Sequence, residues 1–193
     1  GSWSAVRSQG TKTSKGSEST GVIPFVKVVD AEMLAFSQGV TRRGSYAGYM
    51  HISHPEIEEF LDIRKPTGGD TNRKCLNLHH GIVIPDKFME VIHRATKEEG
   101  FDDSWELIDP HSNEVKKVVS ARALWVKLLQ NRMETGEPYV MYEDAVNAEL
   151  PQFQKELGLY VNHSNLCSEI TLATNDERTA VCCLSSVNLE YYD

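Results

Sequence analysis

The stretch Asn165-Leu166-Cys167-Ser168-Glu169-Ile170-Thr171-Leu172 constrains the chain more than any other. Aliphatic and β-branched residues between turn-like segments read as a strand. Side chains alternate across a strand, so Asn165, Cys167 and Glu169 are expected on one face, and Leu166, Ile170 and Leu172 on the other. Burying an amide, a thiol and a carboxylate in a row is costly unless each finds a partner. A thiol between a hydrogen-bonding amide and a carboxylate base makes a reaction centre. The competing reading is a structural cysteine with two satisfied polar neighbours.

The 193 residues suffice for one domain with a sizeable core. A hydrophobic content of 40% and a charged content of 25% place the chain among soluble globular proteins. The net charge of -8 argues against free duplex nucleic acid as a partner, while leaving room for a locally basic phosphate pocket. There is no apolar run of membrane-spanning length, and no signal peptide is read. Cys75, Cys167, Cys182 and Cys183 show no zinc-type spacing, so no metal is expected. Reduced thiols point to the cytoplasm. Both ends, Gly1-Ser2-Trp3 and Glu190-Tyr191-Tyr192-Asp193, look unfinished, and Gly1-Ser2 reads equally as a tag scar or a natural break.

Along the chain, helical and strand patterns alternate, which predicts an α/β fold with a largely parallel sheet. Residues 1–20 are rich in Ser, Thr, Gly and Lys and are expected to form a loop that orders on a ligand. Lys27 to Phe36 reads as a helix. Ser37 to Ser45, with two glycines and two arginines, suits either an anion-contacting loop or a solvated turn. Ser45 to Ile52 is a predicted strand. Ser53 is the expected cap of a helix carrying Ile57, Phe60 and Leu61. Leu76 to Ile84 reads as a strand whose His79 and His80 point apart and so cannot chelate one ion, leaving them structural or in the substrate shell. Pro85 opens a helix. Trp105 to Ile108 reads as a strand, and Pro110 to Lys117 as a polar loop. Ser120 to Glu134 is the strongest helix, with Leu124, Trp125, Leu128 and Leu129 as its buried stripe and Gly136 as its stop. Tyr139 to Tyr142 and Thr179 to Leu189 are predicted strands, with 144–155 helical or irregular between them.

Taken together, several runs resemble the large, catalytic subunit of ribonucleotide reductase. They include Glu58-Glu59-Phe60-Leu61-Asp62-Ile63-Arg64-Lys65 and Arg132-Met133-Glu134-Thr135-Gly136-Glu137-Pro138-Tyr139. The most specific are Asn165-Leu166-Cys167-Ser168-Glu169-Ile170 and Ala180-Val181-Cys182-Cys183-Leu184-Ser185-Ser186. The resemblance covers essentially the whole chain in order. It implies a ten-stranded α/β barrel, of which these residues form roughly the first half as one domain incomplete at both ends. It also implies roles: Cys167 as the transient thiyl radical that takes the ribose 3′ hydrogen, Glu169 as general base, and Asn165 as a substrate hydrogen-bonder. Cys182 becomes half of the reducing dithiol. The substrate contacts would come from Asn165, Leu166, Cys167, Ser168 and Glu169. Alternation along a strand also sends only one of Cys182 and Cys183 to the site, and the more apolar neighbours of Cys183 favour Cys182.

Leu166 resembles the class I enzymes, whose radical comes from a separate di-metal small subunit, with no cofactor bound in this chain. Cobalamin-dependent class II enzymes differ there and form the alternative, together with a catalytically dead half-barrel that only binds nucleotides. Arg7, Gln38 and Arg42 match effector-contacting positions for deoxynucleoside triphosphates or ATP. The implied partners are a ribonucleotide, the small subunit, thioredoxin or glutaredoxin, and a second copy of the complete subunit. One departure stands out: Gly39-Val40 replaces a pair of glycines, and Val dislikes positive φ, so either a different loop path or altered effector communication is expected. The partner cysteine of the dithiol and the second half-barrel are expected outside these residues, so the chain alone is expected not to reduce ribonucleotides. A thiol acyl transferase is a third reading, in which His163 would stand beside Cys167.

Overall fold

The computed structural model describes residues 1–39 and 41–191. Val40, Tyr192 and Asp193 lie outside the described residues, and with Val40 the expected change of loop path or of effector communication. In chain order the elements are α1 (Ile23–Ala35), β1 (Ser37–Gln38), β2 (Arg42–Arg43), β3 (Ala47–His51), α2 (Ile57–Leu61), β4 (His79–Ile84) and α3 (Asp86–Lys97). There follow β5 (Ser104–Ile108), β6 (Val115–Ser120), α4 (Ala121–Thr135), β7 (Tyr139–Tyr142), α5 (Glu143–Ala148) and α6 (Gln152–Glu156). Among the described residues no helix is long and apolar enough to cross a membrane.

The centre is a three-stranded parallel sheet in the order β3-β4-β7. Ala47 pairs with His79 and Gly81 with Tyr139, so β3 and β4 start level and β7 starts two residues further along. Both faces of β4 are covered, so it is buried from His80 to Ile84 and carries the apolar run Ile82-Val83-Ile84. Alternation then sorts the side chains. Met50, Ile52, Ile82 and Ile84 face the helices, where Ile23, Val26, Ile57, Phe60, Leu61, Phe88, Leu124 and Leu128 form the main core. Ala47, Tyr49, Val83 and Met141 face the other way and are covered by Leu150 and Val161, with Tyr139, Leu166 and Ala173 packed against them. The sheet therefore has a helix face and a loop face, and the Cys167 segment lies on the loop face.

Several expectations need correction. Asn165 to Leu172 is not a strand. The Asn165 N–H donates to the Ile170 carbonyl at 3.0 Å, and Ser168 takes a φ of 70°, so the segment closes into a tight loop. Thr179 to Leu189 is likewise no strand: it runs exposed, without a ladder partner, into a 3-10 turn at Leu189–Tyr191. The polar loop expected through Lys117 gives way to β6, which pairs antiparallel with β5 from Ser104↔Ser120 to Ile108↔Val115. The solvated Lys116 and Lys117 masked that strand. Helix α1 starts at Ile23, and α2 starts only at Ile57, with no side-chain cap from Ser53. On α4, Leu124 and Leu128 are buried, but Leu129 is exposed and Asn131 is buried in its place. The loop expected at Ser37 to Ser45 contains the β1–β2 hairpin, in which Gln38 and Arg42 are register partners.

Candidate active site

The loop at 165–170 is built by Asn165. Its side-chain Oδ1 accepts from the Ile170 N–H at 3.1 Å, and its carbonyl accepts from the Ser168 N–H at 3.2 Å. Asn and Asp bond their own neighbouring backbone in this way, which stabilises turns at the expense of strands. Cys167, Ser168 and Glu169 are carried outward at the tip, exposed, while Asn165 and Leu166 are half-buried at the base.

The base is tied to β3 by a chain of hydroxyls. Ser164 donates to the Asn165 carbonyl at 3.0 Å. Its single proton is thereby used, so Tyr49 donates to Ser164 across the 2.5 Å contact between their oxygens. Both residues are buried. Gly81 makes room for this arrangement, because a Cβ there would stand 2.3 Å from the Tyr49 ring. His163 stacks on Tyr49 at 6.2 Å between centroids, and its Nδ1–H donates to the Ser164 carbonyl at 2.9 Å. No hydrogen bond runs from His163 to Cys167, so the acyl-transfer reading gains nothing from the geometry.

A cavity of about 170 Å³ opens beside the loop, lined among others by His163, Asn165, Thr174 and Cys182. It brings Asn165 and Cys182 together. Cys183 is exposed and is not among its lining residues, nor are Cys167 and Glu169. With the strand gone, the alternation argument for Cys182 lapses; the cavity is lined by Cys182. All four cysteines are free; Cys75 is buried, and burial followed by the Asp30 charge pushes its thiol up to about 12, which makes it inert.

One acidic group, Glu137, lies at the start of the strands, apart from the Asn165–Cys182 cavity. Glu137 accepts from the Nδ1–H of His79 on the loop face and from the Nδ1–H of His80, at 3.1 Å, on the helix face. Arg64 adds an ion pair at 3.4 Å. Burial alone pushes the Glu137 carboxyl up, but the His80 and His79 hydrogen bonds and the Arg64 charge outweigh it and bring it to about 2. His79 in turn stacks on Tyr139, at 6.0 Å and 12°. Burial, then the Glu137 charge, pushes the Tyr139 phenol up. The two histidines do point apart, as expected, yet they share one carboxylate. The Thr135-Gly136-Glu137-Pro138-Tyr139 run contained the residue, but no periodicity marked its role.

The remaining expected residues lie elsewhere. Arg7 is in the N-terminal segment, and Gln38 and Arg42 are in the β1–β2 hairpin. Arg7 and Arg42 are not among the lining residues of the Asn165–Cys182 cavity. Among the described residues no group of three or more His, Cys, Asp or Glu is placed to hold a metal ion.

Comparison with known proteins matches this arrangement to one family. The family model for the ribonucleotide reductase barrel domain matches residues 1–193. A Frog virus 3 (isolate Goorha) protein named for a ribonucleoside-diphosphate reductase large subunit is 51% identical over all of this chain, which spans 32% of it. The ribonucleoside-diphosphate reductase large subunit of Invertebrate iridescent virus 3 is 42% identical over 91% of this chain and 35% of its own length. Among solved structures, the Actinobacillus ureae class Id ribonucleotide reductase alpha subunit superposes with a TM-score of 0.73 at 31% identity, over 99% of this chain and 30% of that one. The chain thus spans about a third of the length of these relatives, and its parallel sheet with helices on one face is part of their α/β barrel. With that barrel-domain model matched from end to end, the chain belongs to the ribonucleotide reductase large-subunit family.

Proposed function

We propose that this chain carries the radical-bearing loop of a ribonucleoside-diphosphate reductase catalytic subunit, which reduces ribonucleotides to deoxyribonucleotides for DNA synthesis. The observation that supports it best is the Asn165 loop itself. It presents the Cys167 thiol and the Glu169 carboxylate together at an exposed tip, on a base pinned by Tyr49 and Ser164.

In this reading the Cys167 thiyl takes the ribose 3′ hydrogen, and Glu169 accepts the 3′ hydroxyl proton. Asn165 holds the substrate, with Leu166 and Ser168 completing the loop around it. Cys182, across the cavity from Asn165, supplies one of the two thiols that reduce the 2′ position as water leaves. The radical arrives from a di-metal small subunit, and thioredoxin or glutaredoxin restores the dithiol. Deoxynucleoside triphosphates or ATP act as effectors through Arg7, Gln38 and Arg42, in a homodimer of the complete subunit working in the cytoplasm.

The test is a graft. The 193 residues replace the matching segment of the Frog virus 3 relative, and reduction of a ribonucleoside diphosphate is assayed with a radical-generating subunit and a dithiol. Turnover is expected, with Cys167→Ser abolishing it and Glu169→Gln lowering kcat by roughly 100-fold, the scale of a lost general base. Turnover that survives Cys167→Ser rules the assignment out.

A further inference from the structure

Arg7 sits on backbone that is clamped on both sides. On its N-terminal side the Val6 carbonyl accepts from His54 Nε2 at 2.9 Å. The imidazole is committed to that direction, because its Nδ1 accepts from the Glu56 N–H at 3.1 Å and so carries no proton. On the C-terminal side Ser8 donates twice to Asp109 Oδ2, from its N–H at 2.7 Å and its hydroxyl at 2.6 Å. Thr11 adds a third bond to the same oxygen at 2.8 Å. The next residue, Gln9, donates its N–H to Glu56 at 3.2 Å. Beyond it, a small hairpin closes through Gly10 N–H to the Ser19 carbonyl and Ser19 N–H to the Thr11 carbonyl.

Asp109 is fully buried and satisfied without any cation. Its other oxygen accepts the N–H groups of His111 at 3.0 Å and Ser112 at 2.8 Å at the turn between β5 and β6. Burial alone would raise its carboxyl, but the donors of Ser8, Ser112 and Thr11 hold it well below the usual carboxylate range. The carboxylate thus uses neutral donors only, and among the described residues the Arg7 guanidinium makes no ion pair. In a chain of net charge -8, an arginine on doubly pinned backbone with its charge unspent is arranged for an anion from outside.

We infer that Asp109 is the positioning residue of an anion site at Arg7, fixing the Ser8–Thr11 turn to the β5–β6 hairpin so that the guanidinium is presented to a nucleotide polyphosphate. This rests on the effector reading of Arg7 above and adds the group that makes the site rigid. A preorganised donor binds more tightly because less ordering remains to be done on association. A hairpin far away in sequence thereby becomes part of the effector response.

The experiment is a double-mutant cycle in the full-length graft described above, where these 193 residues replace the matching segment of the Frog virus 3 relative, read as the Kd for a deoxynucleoside triphosphate by calorimetry. Arg7→Ala is expected to weaken binding roughly tenfold or more, the scale of a lost charge-assisted contact. Asp109→Asn is expected to weaken it about tenfold, and the double variant no more than Arg7→Ala alone, since Asp109 acts through Arg7. A purely structural role would instead add its penalty in the Arg7→Ala background. Thr11→Ala removes one donor and keeps the carboxylate bonded, so a loss of about threefold there carries the cycle should Asp109→Asn not fold. Parent-like affinity in Asp109→Asn and Thr11→Ala, or additive penalties, overturns the inference alone. A parent graft that binds no nucleoside triphosphate, or an Arg7→Ala variant that binds as the parent does, overturns it together with the effector reading.

Discussion

Glu137 is where a single side chain fixes most of the local geometry. Its two oxygens collect His79 and His80 from opposite faces of β4, and the guanidinium of Arg64 closes the group. Its carboxyl is displaced from 4.5 to about 2, which corresponds to ~3 kcal/mol of folded-state preference for the ionised form. A carboxyl depressed in the folded state contributes that stability in full above its unfolded value of 4.5 and loses it as pH falls toward 2. Glu137→Gln is therefore expected to cost about 3 kcal/mol at pH 7 in urea unfolding, with the gap to the parent closing between pH 4.5 and 2. A gap that stays constant over that range would assign the loss to shape instead of charge. His80 acts in the same direction: burial lowers its pKa against the pull of Glu137, so acid must force a proton onto a buried ring.

At the scale of elements, α4 shows why some boundaries can be read from local chemistry. Ser120 accepts from the Ala123 N–H at 3.0 Å and so satisfies one orphan donor of the first turn. Gly136 ends the helix at a φ of 78°, with its N–H on the Arg132 carbonyl at 2.9 Å. An added Cβ at Gly136 would meet nothing within 4 Å, so Gly136→Ala isolates the conformational cost. Ser120→Ala and Gly136→Ala are each expected to lower stability by ~1 kcal/mol in denaturant unfolding, and to add in the double variant, since they cap opposite ends of the helix. Both caps depend on residues next to the helix, which is why its ends are legible in the sequence. β3 and β4 are legible for a different reason: both of their faces are buried, so their residues read as short strand-like runs with no helical period. The loop at 165–170 is not, because its alternation fits a strand equally well and the competing interaction, from the Asn165 side chain to the Ile170 N–H, leaves no periodic trace. The chemistry of the site was readable as residue types, while its placement was not. The Tyr49–Ser164 bond joins positions 115 residues apart, and Asp109 meets Ser8 across 101. Nothing local encodes such pairings.

For the molecule as a whole, the two sheet faces are not covered alike. The helix face carries the main core, whereas the loop face rests on the 161–173 segment and the short helices before it. From Thr174 onward the bonds are local: Asn175 N–H to the Arg178 carbonyl at 3.0 Å, and Ala180 N–H to Thr174 Oγ1 at 3.0 Å. Val181, Leu184, Val187 and Leu189 are all exposed, so little apolar burial resists opening there. Proteolysis of a folded chain follows the free energy of local opening, and a segment with few buried contacts opens first. Trypsin is therefore expected to cut after Arg178 before it cuts anywhere in the body, as read by mass spectrometry of the first product. The informative competitor is the N-terminal hairpin, whose Lys12 and Lys15 are also accessible. Its base is held by Asp109 and Glu56, so cleavage at Lys12 or Lys15 should lag in the parent and advance in Asp109→Asn. First cleavage at Lys15 in the parent would mean that the anchor restrains the hairpin less than one turn of local bonds restrains the tail.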